Sequence, residues 1–279
     1  MNIQIARHAG FCSGVERAYN IAIETAKKNI PVYVLGYLVH NSSVISRLED
    51  LGIKTISSLS EIPPGNECIL IISAHGVGPE IYEEARNRCA EIVDTTCAWV
   101  KKAQKIARDL SDSGYQVIIA GDKDHAEVKG IAGWAGPANS KIVEDPSQVD
   151  SMDLQGKAAV VAQTTQSLEN FNSIVEKVRG KVGDLVVHNT ICGATSRRQD
   201  SAVELAKRSD IMLVIGDARS ANTKRLKELC EKTGIPTYQI QNAGELDKNW
   251  LKGKENIGVT AGASTPEEVI LQVVNKIRP

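Results

Sequence analysis

The chain has 279 residues, a formal net charge of −1 and few aromatic residues, 4% of the total. This length suffices for one large core or for two or three smaller lobes. The balanced charge and the scarcity of aromatic side chains argue against a protein that binds nucleic acid or an anionic membrane surface. Neither a secretory signal nor an apolar run long enough to span a bilayer is visible. We therefore expect a cytoplasmic protein that binds neither nucleic acid nor membranes.

Short apolar runs rich in Val and Ile recur along the chain, and most are followed by a small or polar loop and then a helical pattern. In chain order the runs are PVYVLG, CILIISA, YQVIIAG, AAVVAQ, DIMLVIGD and NIGVTAG. Runs of this kind are typical of buried parallel strands. Apolar residues three and four apart predict helices over 15–28, 100–110 and 202–208. The alternation of strand and helix predicts an α/β fold with parallel sheets.

The pattern repeats three times, and a cysteine opens each repeat. Cys12, Cys97 and Cys192 each stand before a helical stretch, with a first strand about 20 residues later and a second about 60 residues later. Internal similarity of this kind predicts a pseudo-threefold molecule of three αβα lobes. We place the lobes at 1–97, which includes an N-terminal strand and Cys12, at 98–192 and at 193–279. The other three cysteines do not fit the repeat, and we interpret them as structural: Cys68, Cys89 and Cys230.

The three leading cysteines are candidate metal ligands. A helix N-terminus carries partial positive charge, which lowers the pKa of a thiol and favours the thiolate that binds metals. Three converging thiolates would leave one metal position open, as in a 4Fe–4S cluster with one accessible iron. The chain has no CxxC motif, so zinc and three buried structural cysteines both stay open as alternatives.

Polar residues follow the predicted strands, at the sheet edge where α/β proteins bind ligands. His, Ser, Asn and Thr side chains suit a phosphate or diphosphate. The candidates are His40, His75, His125, Thr164, Ser220, Asn222 and Ser264. Glu127 is the lone acid among them and a candidate proton donor. Each of these residues could instead be structural, Thr164 as a helix cap and Glu127 as a solvated side chain. Thr265 and Pro266 also predict a helix start, with Thr265 as N-cap and Pro266 at the first helical position.

The motifs together resemble those of one known family. They are GFCSGVERA, LVHN, SAHGV, D-T-TC, DHAEVKG, AQTTQ, NTICGATSRRQ, SANTKRL and GVTAGASTPEE. In this order, and over nearly the whole chain, they resemble the 4-hydroxy-3-methylbut-2-enyl diphosphate reductases, also called the IspH or LytB family. The resemblance implies three αβ lobes around a central 4Fe–4S cluster and the reductive cleavage of a C–O bond, which yields isopentenyl and dimethylallyl diphosphates. This reaction is the last step of the non-mevalonate isoprenoid pathway.

The resemblance also implies a role for each candidate. The cluster ligands map onto Cys12, Cys97 and Cys192, and the open iron binds the substrate hydroxyl. The proton-delivering glutamate maps onto Glu127, and a threonine near the hydroxyl maps onto Thr164. The diphosphate-binding residues map onto His40, His75, His125, Ser220, Asn222 and Ser264. No nucleotide fingerprint is present, so we expect a separate ferredoxin or flavodoxin as the electron donor.

The chain departs from the family pattern beside these residues. The departures are Thr96 and Ala98 around the second cysteine, Ala126 before the glutamate, and Ala218-Arg219 before the serine. They leave room for a paralogue that reduces another allylic substrate. Two further alternatives are a zinc hydrolase with a three-cysteine site and a non-catalytic protein that binds phosphate or senses redox state.

Overall fold

Three four-stranded sheets, each with every pairing parallel, make up the fold of the part that the structure describes. A computed structural model gives the structure, and it describes residues 1–64, 67–154 and 156–278. The α/β prediction with parallel sheets is therefore confirmed. No helix within these ranges is both long and apolar enough to cross a bilayer.

The described chain divides into two compact units. The first unit comprises Met1–Glu16, His40–Ile45 and the segment from Gly193 onward, and the second comprises Arg17–Val39 and Ser46–Cys192. The first unit contains one sheet, and its strands are β1 (Asn2–Ile5), β10 (Ile211–Ile215), β11 (Thr237–Ile240) and β12 (Asn256–Ala261). The second unit contains two sheets, and their strands are β2 (Val32–Leu35), β3 (Ile53–Ile56), β4 (Ile69–Ile72), β5 (Glu91–Asp94), β6 (Gln116–Ala120), β7 (Ser140–Val143), β8 (Lys157–Ala162) and β9 (Asp184–His188).

Helices connect the strands, as parallel pairing requires. They are α1 (Ser13–Ala26), α2 (Ser42–Asp50), α3 (Pro79–Arg86), α4 (Ala98–Asp112), α5 (Ala126–Ala135), α6 (Ser147–Asp150), α7 (Leu168–Arg179), α8 (Gly193–Ala206), α9 (Ala221–Glu231) and α10 (Glu267–Ile277). Short 3₁₀ helices lie at Leu59–Glu61, Ala243–Glu245 and Lys248–Leu251.

The same strand order recurs in all three sheets, which is the repeat that the sequence predicts. The orders are β5-β4-β2-β3, β9-β8-β6-β7 and β1-β12-β10-β11. In each sheet the two central strands come from the apolar runs, and β4 and β10 are buried along their whole length. Burial on both faces explains their continuous hydrophobic sequences.

Two details of the sequence interpretation are wrong. The N-terminal strand does not belong with the strands of 32–94, because β1 pairs with β12, Asn2 opposite Asn256 through Ile5 opposite Val259. A pairing between the two ends of a chain leaves no local sequence signal. The last helix begins at Glu267 with Pro266 as its N-cap, one residue later than predicted, because the hydroxyl of Thr265 instead donates to the carbonyl of Ile215 at 3.0 Å. The boundaries of the three lobes otherwise stay a prediction.

Candidate active site

The three leading cysteines share one local construction. Each backbone N–H donates to the carbonyl of the residue two positions beyond the end of a central strand. The pairs are Cys12 to Ala263 at 3.3 Å, Cys97 to Ala74 at 3.0 Å and Cys192 to Thr164 at 3.0 Å. Each cysteine also directly precedes a helix, α1, α4 or α8. The repeated strand order therefore places each of these thiols at a helix start beside the carboxyl end of its own sheet.

The six cysteines fall into two classes. The structure describes all of them, and none forms a disulfide. Cys68 and Cys230 are fully buried in hydrophobic cores, and Cys89 packs against the core that holds Cys68. Burial raises the pKa of the Cys89 and Cys230 thiols to about 12, which keeps them protonated and makes them poor metal ligands. Cys12, Cys97 and Cys192 are partly buried, as is Cys89, but each of these three directly precedes a helix, a position that favours the metal-binding thiolate.

A buried arginine supports the loop that carries Cys12. The guanidinium of Arg198, on α8, donates to the carbonyl of Gly10 at 2.8 Å, and the side chain is only 3% exposed. Gly10 has a φ of +90°, a conformation that favours glycine. Arg198 falls within the NTICGATSRRQ motif, but its burial could not be predicted, because a charged residue in a helix is usually exposed.

Glu127 is buried and held in place by Thr164. Glu127 lies in the first turn of α5 and is 2% exposed. One carboxylate oxygen accepts the backbone N–H of Thr164 at 2.6 Å, and the other accepts the Thr164 hydroxyl at 2.9 Å. Burial, and to a smaller extent the Asp122 carboxylate, raise the pKa of Glu127 to about 7, against the lowering effect of these two bonds. A carboxyl group that gives up its proton near neutral pH suits general acid catalysis.

Two of the predicted histidines, His75 and His125, lie together in the second unit, near the start of the helix that carries Glu127. The rings of His75 and His125 contact edge to face, with centroids 5.1 Å apart. His125 is the N-cap of α5, and its Nδ1 accepts the backbone N–H of Glu127 at 3.1 Å. The neutral ring must therefore carry its proton on Nε2.

Gln163 directly precedes Thr164 in the AQTTQ motif. Its side-chain oxygen accepts the backbone N–H of Asp122 at 2.9 Å. Its Nε2 is buried and has no hydrogen-bond partner among the described residues. The bond fixes the loop after β6 to the loop after β8, beside the Glu127–Thr164 pair.

The first unit brings together another four of the predicted residues. Ser220 caps α9 through a bond from the Thr223 backbone N–H at 3.4 Å, and the hydroxyl of Ser264 donates to the carbonyl of His40 at 2.9 Å. Asn222 is 4% exposed, and within the described chain neither polar atom of its amide has a hydrogen-bond partner. A buried amide of this kind is costly unless a ligand satisfies it.

A charged pair stands beside His40. Arg219 donates to both carboxylate oxygens of Asp217, at 3.0 and 2.6 Å, and lowers the pKa of that carboxyl group. Burial lowers the pKa of His40, an effect that Asp217 opposes and Arg219 reinforces. His40 is therefore neutral at pH 7. Asp217 is only 3% exposed and is not among the residues predicted from the sequence, and Arg219 is there only a departure from the family pattern.

Comparisons with known proteins show which family the whole chain resembles. The model of the family described as LytB protein matches residues 3–278. The 4-hydroxy-3-methylbut-2-enyl diphosphate reductase of Geobacter sulfurreducens is 45% identical over 279 residues, which covers 100% of this chain and 97% of that protein. The enzyme of the same name from Trichlorobacter lovleyi is 43% identical over 277 residues, 99% of this chain and 98% of that protein.

Solved structures agree in fold as well. The E-1-hydroxy-2-methyl-but-2-enyl-4-diphosphate reductase from Plasmodium falciparum has a TM-score of 0.92 at 32% identity, over 98% of this chain and 87% of that one. A second structure, of (E)-4-hydroxy-3-methyl-but-2-enyl diphosphate reductase, the terminal enzyme of the non-mevalonate pathway, has a TM-score of 0.69 at 38% identity, over 99% of both chains. The family match over nearly the whole sequence and these identities show that the chain belongs to the LytB protein family.

Proposed function

We propose that this protein is a 4-hydroxy-3-methylbut-2-enyl diphosphate reductase, which forms isopentenyl and dimethylallyl diphosphates in the last step of the non-mevalonate pathway. Full-length relatives of that name, at 43 and 45% identity, support the assignment. The observation that carries the chemistry is the buried Glu127, whose carboxylate is bonded twice by Thr164. In the reaction a C–O bond is cleaved with two electrons and two protons: one proton joins the hydroxyl, which leaves as water, and the other joins a carbon of the allylic product.

Cys12, Cys97 and Cys192 would hold a 4Fe–4S cluster. The donor set fits such a group, because three partly buried thiols stand at helix starts with their backbones anchored in the same way, and thiolates are the ligands that iron–sulfur clusters require. The other three cysteines are buried in cores or packed against one. When bound, the cluster would supply the electrons for the cleavage.

The residues of the first unit suit the diphosphate. The amide of Asn222 offers two buried polar atoms that need partners, and Ser220 stands at the N-terminus of α9, where backbone N–H groups attract anions. His40 would accept a proton as the anion binds, because negative charge raises the pKa of an imidazole. Ser264 completes the set and is fixed by its bond to His40.

Glu127 would deliver the proton to the leaving oxygen. Its raised pKa keeps much of the carboxyl group protonated near neutral pH, and Thr164 orients it. His75 and His125 would bind phosphate oxygens. The same backbone bond that fixes the tautomer of His125 also fixes the start of α5, so binding and proton transfer share one rigid support.

None of the departures from the family pattern removes a residue with a proposed role. Ala126 stands where the family usually has proline, but two bonds from Thr164 still fix Glu127. Arg219 is engaged by Asp217. A ferredoxin or flavodoxin is the proposed electron donor, and the cytoplasmic location stays a prediction.

Anaerobic reconstitution tests the proposal. We expect close to four iron and four sulfide per chain, and turnover of 4-hydroxy-3-methylbut-2-enyl diphosphate with reduced methyl viologen as an artificial donor. A colourless protein that retains zinc would instead identify a three-cysteine zinc site. A protein that takes up the cluster but fails to reduce this substrate would point to a paralogue.

A further inference from the structure

A groove of about 560 Å³ lies within the second unit, apart from the candidate catalytic residues. Helices α3 and α4 and the end of α5 form its walls. We call it the basic groove, and its defining residues are Tyr82, Arg86, Lys101, Lys105, Arg108 and Trp134. Neither the diphosphate nor the proton transfer proposed above uses any of these side chains.

The groove is positively charged, although the chain as a whole has a net charge of −1. Four cations and two carboxylates, Glu83 and Asp94, line it. Three of the cations follow each other at intervals of four and three residues on α4, and so share one face of that helix. Lys101 pairs with Asp94 at 2.7 Å, whereas the side chains of Arg86 and Lys105 are exposed.

The walls of the groove are fixed in advance. The indole N–H of Trp134 donates to the carbonyl of Val77 at 2.9 Å, and the Gln104 amide donates to the same carbonyl at 3.4 Å. The guanidinium of Arg108 lies 5.6 Å from the centre of the Trp134 ring. A partner would therefore meet a preformed surface and lose little free energy to reorganisation.

The groove adjoins the segment that carries Cys97. Cys97 is the N-cap of α4, the helix that supplies three of the cations. Asp94, in the groove wall, ends β5 three residues before that cysteine. A protein docked in the groove would thus contact the helix that begins beside one of the proposed cluster ligands.

We infer that the basic groove is the docking surface for a small acidic electron-transfer protein, an inference that rests on the proposed reductase function. The excess of positive charge complements an acidic partner, and such complementarity raises the association rate between proteins. Tyr82 and Trp134, whose ring centroids lie 6.3 Å apart, also line the groove and offer the partner apolar contact beside the charged side chains.

Charge reversal with the reconstituted enzyme tests the inference. The variant R86E/K105E alters two exposed side chains, and K54E/K207E, also at exposed positions, is its matched control. With a reduced acidic bacterial flavodoxin as donor, we expect the KM for flavodoxin to rise about tenfold in R86E/K105E at low ionic strength, and the difference to shrink at high salt. Turnover with reduced methyl viologen should equal that of the unaltered enzyme.

A second measurement does not depend on activity. Carbodiimide cross-linking should join Lys105 to a flavodoxin carboxylate, as detected by mass spectrometry of the cross-linked peptides. Equal flavodoxin KM values in both double variants, or cross-links only at lysines outside the basic groove, would overturn the inference. If inorganic phosphate, but not flavodoxin, protects Lys105 from acetylation by an amine-reactive reagent, the groove binds a small anion and the inference is wrong. If the unaltered enzyme and both double variants all fail to turn over the substrate with reduced methyl viologen, the proposed reductase function is wrong.

Discussion

At the scale of single residues, Glu127 determines how activity depends on pH. Burial raises its pKa to about 7, and the proposed role requires the protonated carboxyl group. Turnover should therefore be level below that pH and fall as the pH rises above it. The variant E127Q should lose turnover by about 100-fold or more and should lack this decline. Steady-state rates with methyl viologen across pH 5.5–9, with cluster content measured in parallel, check both outcomes.

Asp122 provides the control for this prediction. Its carboxylate raises the pKa of Glu127, so D122N should move the decline in turnover to lower pH while the rate on the acid side stays the same. If the decline keeps its position in D122N and persists in E127Q, a different group controls the pH dependence.

A substitution at Asn222 distinguishes an effect on the stability of the fold from an effect on diphosphate binding. Both polar atoms of its buried amide lack partners among the described residues. Replacing an unsatisfied polar group with an apolar one of similar shape is neutral or stabilising for the fold, so N222L should melt at the same temperature as the unaltered protein or higher. Its KM for the diphosphate should rise at least about tenfold, the cost of losing one hydrogen bond to a charged group. Differential scanning calorimetry and substrate titration measure the two effects.

Thr265 supplies the contrast, because its hydroxyl is bonded within the protein, to the carbonyl of Ile215. T265V should destabilise the fold by about 1 kcal/mol. If N222L destabilises the protein as much as T265V, the Asn222 amide is a structural group and the proposed diphosphate contact is wrong.

At the scale of elements, the loop after β4 positions His75 through a backbone that only glycine suits. Gly76 has a φ of +69°, and a Cβ there would lie 2.6 Å from the Gln104 amide nitrogen and 2.8 Å from the Thr96 methyl group. G76A combines a left-handed backbone with overpacking and should destabilise the protein by about 3 kcal/mol. G52A is the control: its φ is +84°, but no atom lies within 4 Å of the added Cβ, so about 1 kcal/mol is expected. Urea unfolding of the two variants compares these values, and equal losses would show that crowding around Gly76 has no effect.

The central strands could be predicted from the sequence, whereas the edge strands could not. Strands such as β4 and β10 are buried on both faces, so their continuous apolar runs carry the signal themselves. Edge strands such as β5 and β9 are only partly buried, and no long apolar run distinguishes them from loops. The partner of β1 lies near the other end of the chain, which no local pattern specifies.

At the scale of the whole molecule, the sequence predicts which residue types belong to the candidate site, but it does not predict which charged side chains are buried. Spacing singled out Cys12, Cys97 and Cys192 because the repeat itself places them. The burial of the charged side chains of Arg198 and Asp217 could not be predicted, because it depends on partners in the tertiary structure. These partners are the Gly10 carbonyl for Arg198 and the Arg219 guanidinium for Asp217. Single sequences show which groups are available, whereas packing decides which of them are removed from water.

The same repeat leads to a prediction about the three cysteines together. Their loops are anchored by backbone bonds to the ends of the central strands, and these bonds do not involve the thiols. C12S, C97S and C192S should therefore keep the fold, as judged by circular dichroism and thermal unfolding, and each should retain clearly less iron and sulfide than the unaltered protein. C89S is the matched control, because the Cys89 thiol packs against a hydrophobic core and its pKa is raised to about 12, so its iron content should be unchanged. Full iron and sulfide in any one of the three leading variants would remove that cysteine from the proposed ligand set. A comparable loss in C89S would mean that iron content reports general stability rather than ligation.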